Sequence, residues 1–310
     1  MVLVSHVPGG RPLDRTAGDP DVVVVERTAD LGGALRRVAP DVVSLHNRPQ
    51  WATRCPAGAA VAVTFHNYPP AWKVAQRSWP ATRAAASRLH LSAVSGALAA
   101  AAAEALGVDP DRVAATPPSI DPAFVDPPSL SPGPVVLSPN RLLRKKGVLD
   151  LLAVAERREF ADVEFAFADL ISPWLAPTAE HRALRAAVTA VPNASLFAPV
   201  GSPAELAARY ASSGVVACAV RELEGLGLVA LEAQACRAPL VTTDLGGLRE
   251  ATFSPNRCIP PFDPDALADA LAAALASTLD REGARRAVLA RHAPETAGRQ
   301  FLRWVAETVR

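Results

Sequence analysis

Two glutamates and several glycines stand close together in the segment RELEGLGLVALEAQACRAPLVTTDLGGLRE, residues 221–250. Glu224 lies before a Gly-Leu-Gly turn, Glu232 lies in the apolar run that follows, and the pair Gly246-Gly247 comes after the next apolar run. Carboxylates accept hydrogen bonds from hydroxyl groups, and bare glycine lets a ligand approach main-chain N–H groups. The segment therefore predicts a site for a ligand that carries both hydroxyl groups and phosphates.

A helix predicted over residues 227–236 begins just after this turn, so its first N–H groups lack partners inside the helix. Such an end attracts an anion through its dipole and its free donors. The segment RLLRKKG in the same half of the chain supplies the cations Arg141 and Lys146. The two cations and the helix end together indicate a diphosphate site. Each charge-assisted contact to it is worth about 1.5–3 kcal/mol.

Short, valine-rich apolar runs alternate with helical segments along the whole chain. The strands and helices that they predict must position the glutamates, glycines and cations of the candidate site. Runs such as DVVSLH and PVVLSPN show little polar alternation, which is typical of strands buried on both faces of a parallel sheet. The clearest predicted helices cover residues 97–106, 148–158, 203–213 and 227–236. The pattern predicts an α/β fold of two doubly wound, Rossmann-like domains that face each other across a cleft.

A segment rich in Pro and Ser at residues 119–134 predicts the linker between the halves. We expect a first domain over residues 1–128, a second over residues 129–294, and a C-terminal helix over residues 295–310 that packs back on the first domain. In such sheets ligands bind at the carboxyl ends of the strands. The polar and glycine residues predicted there include His46, His66, Ser95, Arg141, Gly201, Glu222 and Glu224.

Composition excludes several classes of protein. The net charge is +1 and basic residues form no block, which argues against nucleic acid as the main partner. The four cysteines show no C-x-x-C spacing and no signal peptide is visible, so we expect a reduced, cytoplasmic chain. The most apolar stretch, LSAVSGALAAAAAEAL, contains Glu104 and is mostly alanine, so it predicts an ordinary helix and no transmembrane segment.

The Asp-Pro-Asp tripeptides at residues 19–21, 109–111 and 263–265 raise the question of a metal-chelated diphosphate. Each fits a turn or a helix start better, and Asp263-Pro264 matches an N-cap followed by proline. We therefore expect no metal and no other cofactor, with the positive charge supplied by Arg141, Lys146 and the helix end.

Four segments in the same order resemble the family 4 glycosyltransferases, retaining enzymes with the GT-B fold. They are VSGALAAAAAEALGVDPDRVAATPPSID, SPNRLLRKKGVLDLL, the E-x7-E motif from Glu224 to Glu232, and APLVTTDLGGLRE. The resemblance implies metal-independent transfer of a hexose from a nucleoside diphosphate sugar, the donor, to an acceptor hydroxyl. It implies catalytic roles for Glu224, His66, Arg141 and Lys146, and donor-binding roles for Glu232, Gly227, Leu228, Gly246, Gly247, Gly201, Gly9 and Gly10.

The sequence departs from the family in two places. Gly-Leu follows Glu224 where the family usually has Pro-Phe or Gly-Phe, and little sequence separates residues 5 and 22, where acceptor-binding helices commonly lie. A short first domain implies an open acceptor side, which favours a natural-product scaffold or a glycan as the acceptor.

Simpler interpretations of the same residues stay open. Arg141 and Lys146 could be surface charges, His66 a hydrogen-bonded structural residue, and Gly9-Gly10 a plain turn. The alternative functions are a non-catalytic nucleotide-sugar binder and another GT-B enzyme such as an epimerase. A dinucleotide-dependent oxidoreductase is disfavoured, because no G-x-G-x-x-G follows a predicted first strand.

Overall fold

The computed structural model of this 310-residue chain describes residues 2–4, 23–25, 31–69, 79–129, 131–171, 177–276 and 280–308. These residues form two compact units. The first gathers the described residues of Met1–Ala93, Ala99–Ala115 and Leu302–Arg310, and the second gathers those of Val94–Leu98 and Thr116–Phe301. The split after residue 128 and the role of the C-terminal helix stay predictions.

The first unit contains parallel strands only, as far as the structure describes it. It has a two-stranded sheet, β1–β2, and a separate sheet with the order β3–β4–β5–β6. The strands are β1 Val2–Val4, β2 Val23–Val25, β3 Val42–His46, β4 Ala60–Phe65, β5 His90–Ala93 and β6 Val113–Ala115. The helices that begin before residue 100 are α1 Leu31–Val38, α2 Trp79–Ala86 and α3 Gly96–Leu106.

The second unit is built on one parallel sheet with the strand order β12–β11–β10–β7–β8–β9. Its strands are β7 Val135–Ser138, β8 Glu164–Ala168, β9 Ala194–Phe197, β10 Val215–Cys218, β11 Leu240–Thr243 and β12 Arg257–Ile259. The remaining helices are α4 Val148–Ala155, α5 Ala179–Ala190, α6 Pro203–Ser212, α7 Leu228–Ala235, α8 Leu248–Ala251, α9 Pro264–Ala276, α10 Arg281–His292 and α11 Pro294–Thr308.

The order of the sheet reverses between β7 and β10, the first and fourth strands of this unit. All four residues of β10 and all four of β11 are buried, which explains the continuous apolar runs of the sequence. Ligands of open α/β sheets bind where the strand order reverses, outside the carboxyl ends of the strands. The loops that follow β7 and β10 therefore lie at the position where a site is expected.

Two strands and one helix end differ from the prediction. The sequence did not predict β6 and β12, each of three residues, and β12 lies at the edge of its sheet with an exposed Arg257. An edge strand needs no continuous apolar run, so it leaves a weak pattern. The helix predicted over residues 148–158 ends at Ala155, and a separate 3-10 helix covers Arg158–Phe160.

The start of α9 agrees with the prediction for Asp263-Pro264. Asp263 Oδ1 accepts a hydrogen bond of 2.9 Å from the N–H of Ala266, and Pro264 is the first residue of the helix. Among the helices that the structure describes, none combines the length and apolar character needed to span a membrane.

Gly147 joins the 3-10 helix Arg144–Lys146 to α4 and has a φ of 75°, in the left-handed region. A Cβ atom there would lie 1.8 Å from the carbonyl oxygen of Ala219, at the end of β10. The loop after β7 can therefore lie against the segment after β10 only if this position has no side chain.

We expect Gly147→Ala to lower the free energy of unfolding by about 2–4 kcal/mol, from left-handed strain and overpacking together. The matched control is Gly298→Ala in α11, where a Cβ meets nothing within 4 Å. The control is expected to leave stability unchanged or to raise it by up to about 1 kcal/mol. Urea unfolding measures both variants, and equal midpoints for the two would contradict the close approach.

Candidate functional site

An ion pair joins the two loops that flank the reversal of the sheet. Lys146 Nζ lies in hydrogen-bonding contact with Glu224 Oε1, and the side chains are 11% and 26% exposed. The loops also meet through the backbone, where the N–H of Arg221 donates to the carbonyl of Lys145 at 2.9 Å. Partly buried charges interact more strongly with each other than fully exposed charges do. The structure thus places two of the predicted catalytic residues against each other.

The second glycine loop joins this pair through the backbone. The N–H of Gly247 donates to the carbonyl of Glu224 at 2.8 Å, and Glu224 forms an isolated parallel bridge with Gly246. A Cβ atom on Gly247 would lie 2.2 Å from the carbonyl oxygen of Gly225. The two glycine segments of the sequence therefore form one continuous surface of main chain around Glu224.

Helix α7 begins beside Glu224 with no side-chain cap, after Gly227 at a φ of 98°. The carbonyl of Gly227 accepts from Ala230 at 3.0 Å and from Leu231 at 3.4 Å. The N–H groups of Leu228 and Val229 have no acceptor among the described residues. Two free donors and the positive end of the helix dipole form the kind of site that binds phosphate.

Glu232 lies in α7 and is partly buried. One of its oxygens, Oε2, accepts a hydrogen bond of 2.8 Å from the hydroxyl of Tyr210, which is completely buried in α6. Burial raises the pKa of Glu232, the Tyr210 hydrogen bond acts in the opposite direction, and the charge of Asp121 raises the pKa further. Because a carboxylate has two oxygens, Tyr210 orients Glu232 without using its whole capacity to accept hydroxyl groups.

Tyr210 was not predicted as a site residue from the sequence. It is one of two tyrosines in the chain, and it stands near the end of PAELAARYAS, a helix whose pattern predicts a buried aromatic but names no partner for its hydroxyl. A buried tyrosine hydroxyl needs an acceptor, and only the structure shows that the acceptor is Glu232.

Residues Val94–Leu98 of the second unit also support the glycine loops. Ser95 Oγ donates to the carbonyl of Gly225 at 2.5 Å. The carboxylate of Glu250 accepts from the N–H groups of Gly96 and Ala97, both at 2.8 Å. Ser95 was predicted as a polar residue at a strand end, whereas the role of Glu250 had no sequence signal beyond its place in the Gly-Gly segment.

His66 lies in the first unit, directly after β4, and contacts a second histidine. His46 Nδ1 and His66 Nε2 are 2.8 Å apart, and the N–H of His66 donates to Asn47 Oδ1 at 2.7 Å. Burial lowers the pKa of both imidazoles, and the charge of His46 lowers that of His66 further. The lowered pKa values favour the neutral rings, in which an N–H of one can donate to a ring nitrogen of the other.

The remaining predicted residues are dispersed. Arg141 is exposed in the loop after β7, and Leu228 is 48% exposed in the first turn of α7. Gly201 follows the edge strand β9, and its N–H already donates to Glu205 Oε2 at 2.9 Å. Gly9 and Gly10 lie outside the described residues. The described part of the chain contains no group of three or more His, Cys, Asp or Glu arranged to hold a metal ion.

Comparisons with known families cover most of the sequence. Residues 123–292 match the family described as Glycosyl transferases group 1, and residues 13–124 match the one described as Glycosyltransferase Family 4.

Solved structures share the fold of the chain. A glycosyltransferase from Rickettsia africae aligns with a TM-score of 0.73 at 18% identity, covering 94% of this chain and 86% of that one. HepE of Anabaena, in complex with UDP and glucose, aligns with a TM-score of 0.74 at 16% identity, covering 93% and 86%. Together with the two α/β units, whose described strands are all parallel, these likenesses confirm the predicted fold class.

Curated relatives match over shorter stretches. A D-inositol 3-phosphate glycosyltransferase of Acidothermus cellulolyticus is 32% identical over 163 residues, which are 47% of this chain and 36% of the relative. One from Kineococcus radiotolerans is 39% identical over 108 residues, 33% of this chain and 25% of the relative. The matched stretches thus span about a third or less of these relatives.

The buried state of Glu232 predicts how stability depends on pH. Because the folded pKa is raised above its ordinary value of 4.5, the folded protein holds this proton more tightly than the unfolded chain does. Stability from this group is therefore complete below about pH 4.5 and is lost as the pH rises through the folded pKa. A glutamine at position 232 cannot ionise, so Glu232→Gln does not show this loss. The free energy of unfolding of the variant minus that of the wild type should therefore increase from about pH 4.5 to pH 7.5.

Urea unfolding at the two pH values measures this gain, and Glu159→Gln, at an exposed carboxylate, is the matched control. A difference between Glu232→Gln and wild type that does not change with pH would contradict the buried carboxylate.

Proposed function

The chain belongs to the group 1 glycosyl transferases, and from that premise we propose that it is an enzyme that moves a hexose from a nucleoside diphosphate sugar to an acceptor hydroxyl. The observation that carries the proposal is the Lys146–Glu224 pair beside the free N–H groups at the start of α7. This places a cation, two main-chain donors and a carboxylate at the reversal of one sheet. A diphosphate that carries a sugar has the complementary groups.

The proposed role of Lys146 concerns the leaving group. Breaking the sugar–phosphate bond leaves negative charge on the nucleoside diphosphate, and fixed donors aimed at that charge lower the barrier. One such donor is typically worth about 3 kcal/mol. Lys146 and the N–H groups of Leu228 and Val229 are the fixed donors, and the exposed Arg141 on the same loop as Lys146 is a further cation.

Glu224 has the proposed role of holding the transferred sugar. Its backbone is held by Gly246 and Gly247, so the carboxylate starts from a fixed point of the main chain when Lys146 turns toward a phosphate. A phosphate competes for Lys146, and the carboxylate released from the pair can then accept sugar hydroxyls. The ion pair therefore positions both groups before the donor arrives.

Glu232 has the proposed role of binding the ribose. Tyr210 fixes one carboxylate oxygen, and a pair of neighbouring ribose hydroxyls would supply the hydrogen bonds that compensate the burial of the charge. His66 stays a predicted catalytic residue, and its neutral imidazole is suited to a hydrogen bond with a sugar hydroxyl.

We propose that the reaction retains the anomeric configuration and needs no metal. Same-face attack by the acceptor hydroxyl requires no protein nucleophile, and Lys146 with the helix end supplies the positive charge. The acceptor proposed from the sequence is a natural-product scaffold or a glycan. Since HepE of Anabaena was solved with UDP and glucose, UDP-glucose is the first donor to test.

The experiment titrates UDP and UDP-glucose into the protein by calorimetry, with and without EDTA, and measures turnover of the donor. We expect unchanged binding in EDTA, and a product whose anomeric proton coupling matches that of the donor. Loss of binding in EDTA contradicts metal independence, and an inverted product contradicts retention. Binding without turnover against an acceptor panel favours the non-catalytic nucleotide-sugar binder instead.

Two variants separate the roles of the carboxylates. Glu232→Gln is expected to weaken UDP by about tenfold, because it loses charged hydrogen bonds to the ribose. Glu224→Gln is expected to change UDP affinity by no more than about twofold while turnover falls by about 100-fold or more. Equal loss of UDP affinity in both variants would show that the division of roles is wrong.

A further inference from the structure

A cavity lies next to the loops that carry the Lys146–Glu224 pair, in the second unit. Its volume is about 590 Å³, within the range of about 300–1,000 Å³ that is typical of small-molecule sites. The loops after β7 and β10, the segment after β12 and the start of α5 form its wall. We name it the Phe262 cavity, and its lining residues are Leu143, Arg144, Lys145, Glu180, Arg221, Glu222 and Phe262.

This cavity and the Lys146–Glu224 pair use different, adjacent residues of the same two loops. Lys145 Nζ pairs with Glu222 Oε2 at 3.1 Å, whereas Lys146 pairs with Glu224. Lys145 and Glu222 line the cavity, and Lys146 and Glu224 do not. The loops therefore present two neighbouring sets of paired charges, and only one of them is used by the proposed diphosphate site.

Phe262 has a backbone conformation that is costly for a bulky residue. Its φ is 62°, a value that a bulky side chain rarely adopts, and its side chain is 58% exposed. The guanidinium of Arg221 lies 4.9 Å from the ring centroid. Strain of this kind is kept where it places a side chain for a ligand, and the ring here lies at the wall of a cavity.

The charges of the cavity are of both signs and are largely engaged. Arg221 Nη1 pairs with Asp150 Oδ1 at 3.1 Å, and Glu180 Oε1 accepts from the main-chain N–H of Arg144 at 2.8 Å. The lining has three cations and two carboxylates, and the two carboxylates disfavour a polyanion because each repels it. Hydroxyl groups both donate and accept, so they can join these pairs, while the apolar face of a sugar ring can cover Phe262.

We propose that the Phe262 cavity binds a sugar unit of an uncharged glycan acceptor. The inference rests on the proposed function and names the acceptor class for that reaction. Phe262 supplies the stacking face, Glu180 and Glu222 accept hydroxyl hydrogen bonds, and Arg144 and Lys145 donate them. A glycan seated there lies beside the loops that carry Glu224.

Saturation-transfer NMR with maltotriose, cellotriose and chitotriose tests the proposal, with UDP titrated separately by calorimetry. We expect at least one trisaccharide to bind the wild type and to bind about tenfold more weakly to Phe262→Ala and Phe262→Gly. Phe262→Gly keeps the left-handed backbone without strain, which guards against a folding defect. The control Leu302→Ala, at another exposed apolar side chain, should bind like wild type.

Both Phe262 variants should retain the UDP affinity of the wild type. Failure of all three trisaccharides to bind, or equal binding by wild type and Phe262→Ala, would overturn the glycan site. Inorganic phosphate that binds in a Phe262-dependent way would overturn it as well, in favour of an anion. Loss of UDP binding by the wild type would count against the proposed function instead, because the trisaccharide signals are recorded without UDP.

Discussion

The ion pair between Lys146 and Glu224 is the interaction on which the candidate site depends. It crosses the reversal of the sheet order, between the loops that follow β7 and β10. The two loops can come this close because Gly147 has no side chain to meet Ala219. The loop after β11 packs against the loop after β10 because Gly247 has no side chain to meet Gly225. Removing one partner of a half-buried pair leaves an unpaired charge, so the site and the local fold depend on the same contact.

Two glutamates eight positions apart are held in different electrostatic states. Glu224 faces a cation, whereas Glu232 is buried against Tyr210 and its pKa is raised. A carboxylate paired with a lysine can exchange that lysine for a phosphate, while a buried carboxylate gains most from new hydrogen bonds that compensate its lost hydration. The same residue type can therefore hold different parts of one ligand.

Much of the fold and part of the site could be predicted from the sequence. The valine-rich runs of β7, β10 and β11 are continuous because these strands are buried on both faces, and the glycines around Glu224 mark places where backbone meets backbone. Edge strand β12 escaped prediction because its residues are partly exposed. The partners of charged groups also escaped, since Tyr210 and Glu232 are brought together by packing of α6 and α7 and no sequence spacing encodes that contact.

Calorimetric titration of UDP into variants of two adjacent lysines tests the proposed diphosphate site most directly. Lys146 belongs to the Glu224 pair, and Lys145 to the Glu222 pair of the neighbouring cavity. We predict that Lys146→Ala lowers the affinity for UDP by about tenfold or more, whereas Lys145→Ala changes it by no more than about twofold. An equal loss in both variants, or a larger loss for Lys145→Ala, would contradict a diphosphate site built on the Lys146–Glu224 pair.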